Sequence, residues 1–340
     1  MEKVTVLIVG AGPAGSTCGL LLRKKDIACM VIDRAVFPRD KICGGGLTPR
    51  SYALLTRLLP EFCYGYNSVK RIRLLLEGKQ IYDLHMDQEI RIVKRREFDA
   101  LLLEEYQKSG GTFVNEALTG IEENDGQIIA TLKSGRQIAC DYLVGADGAN
   151  SRVRKYLNPQ SDHGILCMEQ YGPKSSDDSS DDAIVINVSN HYNQGYYYLF
   201  PNESYDVQGF GDHHTTPQTF REVLDEMGCP DLKAKGAYIP NTIDYPLHNH
   251  IILIGDAGGF PSRLTFEGLY YAFLTASHAA EAISSGRPFR EINRKVFANK
   301  KKEERAARFF YSRYGLALLK LLCIRFPRLV ERCYNKITTQ

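Results

Sequence analysis

The hydrophobic pattern of the first 33 residues predicts a βαβ unit. Residues 4–9 form an uninterrupted β-branched and aliphatic run, which is typical of a parallel strand buried on both faces. Residues 16–25 have a helical composition, and a second apolar run at 27–32 ends at Asp33. This spacing is long enough for a helical crossover between two parallel strands.

Strand patterns after residue 70 predict a second sheet. Residues 71–87 carry a strand pattern on either side of a turn at Glu77-Gly78. Further strands of this sheet are predicted at 183–188, 196–200 and 206–211. The segment 172–182, GPKSSDDSSDD, is the low-complexity part of the chain, and we interpret it as a solvated acidic loop.

The remaining patterns predict that the chain returns to the first domain. Hydrophobic periodicity predicts four further elements: a helix at 98–110, a small β-meander at 121–144, a buried strand at 251–254 and a helix at 269–284. We therefore expect an α/β fold in which a Rossmann-like nucleotide-binding domain contains an inserted β-sheet domain. The expected limits are 1–70, 91–160 and 248–290 for the nucleotide-binding domain, 71–90 and 161–247 for the substrate-binding sheet domain, and 291–340 for a C-terminal helical segment.

Composition and charge exclude several classes of protein. Apolar residues make up 44% and charged residues 24% of the 340 positions, as in ordinary globular proteins. A net charge of +3 is too small to indicate nucleic-acid binding. The nine cysteines are scattered without a C-x-x-C spacing, so we expect reduced thiols and no metal site. With no secretory signal pattern and no long uncharged apolar stretch, a cytoplasmic location is expected.

The C-terminal segment from Lys300 is helical in pattern and cationic. Apolar and basic side chains are mixed along it, namely Leu318, Leu319, Leu322 and Phe326 with Arg313, Lys320, Arg325 and Arg328. One interpretation is a helix packed against the rest of the protein. The other is peripheral contact with a membrane surface through a basic amphipathic face. The sequence leaves both open.

The first glycine-rich turn has the spacing of a dinucleotide-binding motif. In Gly10-Ala-Gly12-Pro13-Ala14-Gly15 the first glycine makes the turn, the second lets the backbone approach a pyrophosphate, and the third lets helix and strand pack closely. The helix N-terminus adds free N–H groups and a partial positive charge. Asp33, about 20 residues on, is placed to bind an adenosine ribose, which favours FAD or NAD over NADP.

Two later segments resemble further fingerprints of the aromatic-hydroxylase-like flavoproteins. Residues 145–154, GADGANSRVR, resemble the second fingerprint and contain Asp147. Gly255-Asp256-Ala257 resembles the third, in which the aspartate holds the ribityl chain of the flavin. The three segments occur in the family's order across most of the chain, so the resemblance implies bound FAD.

Within that superfamily the chain resembles the geranylgeranyl reductase family. Residues 41–45, KICGG, resemble its K-x-C-G-G segment, and 95–99, RREFD, its R-x-x-F-D segment. Residues 195–201, GYYYLFP, resemble its G-Y-x-W-x-F-P segment, with Tyr198 in place of the tryptophan. Motif and resemblance together assign FAD binding to Gly10, Gly12, Pro13, Ala14, Gly15, Asp33, Arg34, Cys43, Gly44, Gly45, Arg95, Asp147, Gly255, Asp256, Gly268 and Leu269.

The segment after the third fingerprint departs from the family pattern. The family has N-P-x-x-G-E-G, whereas this chain has SRLTFEG at 262–268. Arg263 is either a charge that tunes the reduced flavin or part of a surface ion pair. Cys43 either faces the substrate or is a small buried hydrophobe. Tyr198 lies in a strand that either walls an apolar pocket or is ordinary sheet core. These three residues are the candidate catalytic residues.

The resemblance implies an enzyme that transfers hydride from reduced flavin to a carbon–carbon double bond of an apolar, isoprenoid-like substrate. One alternative is an aromatic monooxygenase, which shares the three fingerprints. An alternative of another class is a flavoprotein that relays electrons at a membrane surface. A flavin halogenase is disfavoured because the chain has no tryptophan. Because a second G-x-G-x-x-G unit is absent, the electron donor is expected to be NAD(P)H visiting the substrate side or a reduced redox protein.

Overall fold

Strands and helices assemble into two sheets with helices around them. The computed structural model describes residues 2–124, 126–174 and 182–339. Its strands are β1 (Glu2–Val9), β2 (Cys29–Ile32), β3 (Gly46–Leu47), β4 (Asn67–Leu76), β5 (Lys79–Ile92), β6 (Thr112–Val114), β7 (Leu118–Asn124), β8 (Gln127–Leu132), β9 (Gln137–Gly145), β10 (Ile165–Gly172), β11 (Ile184–Val188), β12 (Tyr196–Pro201), β13 (Asp206–Asp212), β14 (Lys235–Ile239) and β15 (Ile251–Leu253). Its helices are α1 (Pro13–Arg23), α2 (Pro49–Leu58), α3 (Arg95–Lys108), α4 (Arg152–Leu157), α5 (Pro217–Glu226), α6 (Leu269–Ser285), α7 (Phe289–Ile292), α8 (Arg294–Phe310), α9 (Arg313–Arg325) and α10 (Pro327–Thr339).

The first sheet has a parallel centre that is buried on both faces. Strand β1 pairs in parallel with β2 and β9, and β15 pairs in parallel with β9. Val6 and Ile8 point into the core formed with α1, α3 and α6, whereas Leu7 and Val9 point into the core on the other face. Because both faces are covered there, the second half of β1, residues 6–9, is a continuous apolar run without polar alternation.

The predicted βαβ unit is confirmed, with shifted ends. Helix α1 begins at Pro13 and not at residue 16, because proline suits the first helical position and leaves Gly12 as the N-cap. It ends at Arg23, and β2 begins only at Cys29. Asp26, between the two, has a left-handed φ of 56°, which continues neither helix nor strand.

The second sheet presents different side chains on its two faces. Its order is β14-β10-β13-β12-β11-β4-β5-β3. Tyr197 and Leu199 of β12 pack against α5 on one face. Because side chains alternate along a strand, Tyr196, Tyr198 and Phe200 lie on the opposite face. That opposite face is central to the candidate site.

Some strands extend beyond the expected domain limits. Strands β4 and β5 run past residues 71 and 90, since Val69 pairs with Ile90 and Asn67 with Ile92. Strand β3 belongs to the second sheet, although residues 46–47 were assigned to the first domain. The division into domains otherwise stays a prediction. The acidic segment 172–182 and the turn at Asp125 lie largely or wholly outside the described residues.

The C-terminal segment is helical, as expected, but it is broken into separate helices. Helix α8 begins at Arg294, and breaks at residues 311–312 and 326 separate α8, α9 and α10. Tyr311 and Leu316 pack against Val188 of the second sheet. Val330 and Tyr334 of α10 pack against a second hydrophobic cluster of the same sheet. These helices therefore cover the face that carries Tyr198. Among the helices of the described residues, none has the length and apolar composition needed to cross a bilayer.

Arg154 of α4 is a buried arginine that connects two distant segments. Its guanidinium is almost completely buried and donates to the backbone carbonyls of Asp256 at 3.1 Å, Ala257 at 3.3 Å and Ala149 at 2.5 Å. It thus joins the second fingerprint to the third. Buried carbonyls without donors are costly, so these bonds stabilise both loops.

We predict that Arg154→Leu lowers the free energy of unfolding by about 3 kcal/mol, because three buried carbonyls lose their donors. Arg152→Leu, two residues earlier on the same helix and exposed, is the control and should cost well under 1 kcal/mol. Urea unfolding of both variants measures the difference. Equal losses in the two variants would contradict the proposed function of the buried guanidinium.

Candidate functional site

The glycine-rich turn lies where β1, β9 and α6 meet. A Cβ on Gly10, which has φ of 105°, would overlap the carbonyl of Ala146. A Cβ on Gly15 would overlap the carbonyl oxygen of Gly10. A Cβ on Gly12 would meet only the Nη2 atom of Arg39, at 3.4 Å, among the described residues. Gly10 and Gly15 are therefore required by protein packing, whereas Gly12 has open space above it.

The same region fits the pyrophosphate of a dinucleotide. Helix α1 begins after Gly12 without a side chain capping its N–H groups, and Pro13 and Ala14 form its first turn. Free N–H groups at a helix N-terminus bind anions. Asp147 has a buried Oδ1 atom with no partner among the described residues, and nothing lies within 4 Å of a Cβ at Gly148. Open space, free donors and an orphaned acceptor suit a bound FAD.

Asp33 and Arg34 lie at the end of β2, as predicted. The carboxylate of Asp33 accepts hydrogen bonds from the backbone N–H groups of Ala11 at 2.7 Å and Ala35 at 2.8 Å, so it also fixes the glycine-rich turn. Each carboxylate oxygen has a further lone pair, which leaves the predicted contact to a ribose open. Arg34 is exposed. The contacts of both residues with FAD stay predictions.

The third fingerprint forms a 3₁₀ turn at Gly255–Gly258 beside the first. A Cβ on Gly255 would come within 3.0 Å of Ala14. Asp256 forms an ion pair with Lys41 at 3.8 Å, which brings the K-x-C-G-G segment over this turn. Gly268 is the N-cap of α6, again without a side-chain cap, and Leu269 is buried at its first position. The structure thus brings the first and third fingerprints and the K-x-C-G-G segment together.

The K-x-C-G-G segment packs against the second sheet and α3. A Cβ on Gly44 would lie 2.9 Å from the ring of Phe200, and a Cβ on Gly45 would overlap the carbonyl of Val93. Burial lowers the pKa of Arg95, but Asp99 and, after it, the Cys43 thiol outweigh this effect, so the net pKa of Arg95 is raised. Arg95 is also held by a bidentate pair with Asp99 at 2.8 and 2.9 Å. The two glycines therefore allow Cys43 to lie between the sheet and this ion pair.

The segment that departs from the family pattern forms the loop before α6. Phe266 has a left-handed φ of 54°, where glycine is normally favoured, and its ring stacks on Tyr196 at 4.9 Å. Arg263 pairs with Glu304 of α8 at 3.0 Å and donates to Thr242 at 2.8 Å. Arg263 thus forms an ion pair, which was one of the two roles considered for it. Its other role, toward the flavin, stays a prediction.

Glu267 in this loop is held by the start of α2. Its carboxylate accepts hydrogen bonds from Thr48, from Ser51 at 2.8 Å and from Arg50. Burial lowers the pKa of Arg50, but the Glu267 carboxylate outweighs it and the net pKa of Arg50 is raised. Helix α2 was not expected from the sequence, so this anchoring of the loop was missed.

A buried acid, Glu169, completes the site on the second sheet. Glu169 on β10, Gly209 on β13 and Tyr198 on β12 are directly paired across three strands. A Cβ on Gly209 would overlap the Tyr198 ring, so the glycine lets that ring cross the middle strand. The Tyr198 hydroxyl donates to Glu169 and lies 3.1 Å from the thiol of Cys167. The second carboxylate oxygen of Glu169 is buried and has no partner among the described residues.

The electrostatics of this pair favour a proton held near neutral pH. Burial raises the pKa of Glu169 to about 7, although the Tyr198 hydrogen bond, Lys41 and the backbone of Cys43 act in the opposite direction. Burial raises the pKa of Tyr198 well above its ordinary value, and the acidic neighbours add to this. A perturbed carboxyl beside a functional segment is a candidate proton donor. Sequence reasoning identified Tyr198 but missed Glu169.

Comparison with known families identifies the fold and the cofactor. Residues 3–186, more than half of the chain, match the FAD binding domain family. The chain belongs to that family. The predicted Rossmann-like α/β fold and FAD binding are therefore confirmed, and the protein is an FAD-dependent oxidoreductase.

Relatives with named activities are reductases. An uncharacterised protein of Methanosarcina barkeri is 31% identical over 84% of this chain and 76% of its own length. The chloroplastic geranylgeranyl diphosphate reductase of Arabidopsis thaliana is 25% identical, over 84% of this chain and 66% of its own length. The menaquinone reductase of Mycobacterium tuberculosis is 26% identical, with 84% and 77% covered. The resemblance to the geranylgeranyl reductase family is confirmed, and the chain spans two thirds to three quarters of these relatives.

Solved structures share the fold at low identity. A geranylgeranyl bacteriochlorophyll reductase-like protein of Thermoplasma acidophilum has a TM-score of 0.76 and 17% identity, covering 100% of this chain and 92% of its own. The halogenase PltM in complex with FAD has a TM-score of 0.73 and 17% identity, covering 92% and 78%. These likenesses concern the fold alone.

We predict that Gly12→Val abolishes FAD binding but leaves the protein folded, because the added side chain occupies open space where the pyrophosphate is expected. Gly65→Val is the control, since it lies outside the motif and a Cβ there meets nothing within 4 Å among the described residues. Flavin absorbance and circular dichroism measure the two effects. A Gly12→Val protein that retains a full complement of FAD would contradict this assignment.

Proposed function

We propose that the protein reduces a carbon–carbon double bond of an apolar, isoprenoid-like substrate. The observation that carries this proposal is the buried Glu169–Tyr198 pair beside the K-x-C-G-G segment. Relatives named as geranylgeranyl diphosphate and menaquinone reductases support the substrate class. The aromatic face formed by Tyr196, Tyr198 and Phe200 supplies an apolar wall for such a substrate.

Saturation of an alkene requires a hydride on one carbon and a proton on the other. Reduced FAD, when bound, supplies the hydride and is oxidised in the same step. We assign the proton to the Tyr198 hydroxyl, which is hydrogen-bonded to Glu169. When Glu169 is protonated this hydrogen bond reverses, and the Glu169 carboxyl replaces the proton that Tyr198 gives up. Glu169 regains its proton from solvent before the next turnover. Both electrons of the reduction come from the flavin, so the two side chains transfer protons only.

The position of the pair suits this function. Glu169 is almost completely buried, so water does not compete for its hydrogen bonds. Tyr198 reaches across the sheet toward Glu169, and its neighbour Phe200 contacts the Gly44 and Gly46 backbone. The family tryptophan would lack the hydroxyl that Tyr198 provides, and its indole N–H donates but cannot accept a proton in return. The tyrosine therefore offers proton transfer at a position where the family has a purely aromatic wall.

The electron donor is proposed to be NAD(P)H or a reduced redox protein. An aromatic monooxygenase or an electron relay would share the FAD-binding segments, so both are outcomes of the experiments below. A relay needs no buried acid beside an apolar wall. We therefore favour the reductase over the relay.

We predict that the photoreduced protein, kept anaerobic, is reoxidised by geranylgeranyl diphosphate or a menaquinone and gives a product heavier by two hydrogens. For the menaquinone the two hydrogens must remain after the product is exposed to air, because reduction of the quinone ring also adds two hydrogens but is reversed by oxygen. Optical spectra follow the flavin, and mass spectrometry follows the product. Phenols are the matched control substrates, since a reductase should leave them unchanged. Turnover that requires oxygen and adds an oxygen atom would replace this proposal with a monooxygenase, and reoxidation by proteins alone would replace it with a relay.

We predict that Glu169→Gln and Tyr198→Phe slow reoxidation by substrate about 100-fold or more while photoreduction is unchanged, because each removes a proton from the relay. The wild-type rate should fall as pH rises through about 7, where Glu169 loses its proton, and this dependence should vanish in Glu169→Gln. Tyr197→Phe, on the opposite face of the same strand, is the control.

Two outcomes would change the assignment of the proton donor. If Glu169→Gln retains both rate and pH dependence whereas Cys43→Ala loses them, the thiol is the donor. If all three variants keep the wild-type rate, the proton comes from solvent and the pair is structural.

A further inference from the structure

Exposed apolar side chains are concentrated in the C-terminal helices. Of the fifteen large hydrophobic residues that are exposed in the described part of the chain, eight lie between positions 309 and 337. They are Phe309, Tyr314, Leu318, Leu321, Ile324, Phe326, Leu329 and Ile337. Scattered exposed hydrophobics are ordinary, but a contiguous group of them marks an interaction surface.

Helix α9 is apolar on two opposite sides. Leu316 and Cys323 point inward and are almost completely buried. Tyr314, Leu318 and Leu321 follow one another at spacings of four and three residues and therefore share the outer side. A row of apolar side chains along one side of a helix is normally covered by another surface. The outer side of α9 thus has the composition of a covered surface.

Helix α10 carries an apolar stripe beside a basic one. Leu329, Cys333 and Ile337 are exposed at four-residue spacing. Arg328, Arg332 and Lys336 are exposed at the same spacing, one position earlier. Within the described residues these three cations have no ion-pair partner. Adjacent apolar and cationic stripes are characteristic of helices that lie in a membrane interface.

The charge of this segment differs from that of the rest of the protein. Residues 300–339 contain eleven Lys and Arg against three Glu, whereas the whole chain has a net charge of only +3. The remaining residues are therefore net negative. An anionic surface would attract the C-terminal helices and repel the rest, so the charge asymmetry also orients the molecule.

The inner side of the same helices faces the candidate site. Val330 and Tyr334 of α10 pack on the core that includes Phe200. The Tyr82 hydroxyl of β5 donates to Glu331 of α10 at 2.9 Å, which also holds α10 against the second sheet. Helices α9 and α10 therefore form the layer between the aromatic face of the second sheet and the exterior.

We propose that helices α9 and α10 dock on an anionic phospholipid bilayer. The outer apolar side chains enter the boundary between headgroups and acyl chains, and the cations contact lipid phosphates. A second copy of the chain fits this surface less well, because a two-fold contact would bring the same unpaired cations together. Docking here places the layer that covers the candidate site against the phase in which apolar substrates dissolve.

Vesicle flotation of the FAD-loaded full chain tests the charge requirement. We expect recovery with vesicles of phosphatidylcholine and phosphatidylglycerol, and weak recovery with phosphatidylcholine alone or at high salt. Arg328→Ala, Arg332→Ala and Lys336→Ala combined should weaken binding by about 100-fold, at about fivefold for each cation. The control combines Lys25→Ala, Lys133→Ala and Lys155→Ala, which are exposed outside this segment. Equal binding of the two triple variants would overturn the proposal.

A tryptophan probe tests the apolar contact and its orientation. Because the chain has no tryptophan, Leu321→Trp gives a single reporter, and Val36→Trp, also exposed, is the control. With anionic vesicles, the emission of the Leu321→Trp protein should shift to the blue and be quenched by brominated acyl chains, whereas the control should not change. If the shift requires no lipid and light scattering shows a dimer, the surface is an interface between copies and the proposal fails.

Discussion

The structure depends on three backbone segments that approach one another at the carboxyl end of β1. Gly10 contacts Ala146, Gly15 contacts the Gly10 carbonyl, and Gly255 lies against Ala14, all with no room for another side chain. The three segments are distant in sequence, so Gly10 and Gly255 each fix a long-range contact, whereas Gly15 fixes the turn itself. Arg154 then supplies donors to the carbonyls of the third segment. Because the segments are held by backbone contacts, the space above Gly12 is left free.

The sequence predicted this part of the molecule well, because its physics is local. A buried strand, a glycine turn and a helix follow one another within 33 residues, and each leaves a pattern in composition or spacing. The predicted ends of the helices and strands were less accurate. Helix α1 begins before the residues whose composition predicted it, because Pro13 occupies its first turn without belonging to that pattern. Strands β4 and β5 run longer than expected because pairing, not composition, determines where they stop.

The candidate site was predicted only where a motif exists. Tyr198 belongs to a recognisable segment, but its partner Glu169 lies on β10, a strand that the sequence pattern did not reveal. Their contact depends on strand order, on register and on Gly209 between them. None of these is visible in a single sequence. Glu267 was missed for a similar reason, since its donors come from α2, more than two hundred residues earlier.

Phe266 shows how a departure from a family pattern is accommodated. The backbone keeps the left-handed φ of 54° that a glycine would adopt freely, which costs a phenylalanine about 1 kcal/mol or more. Stacking on Tyr196, whose hydroxyl donates to the Thr265 carbonyl at 2.6 Å, offsets that cost. Tyr196 also contacts Tyr198 at 5.9 Å between ring centres. The strained residue is therefore part of the same aromatic face as the proposed proton donor, and its ring fills space that a glycine would leave open.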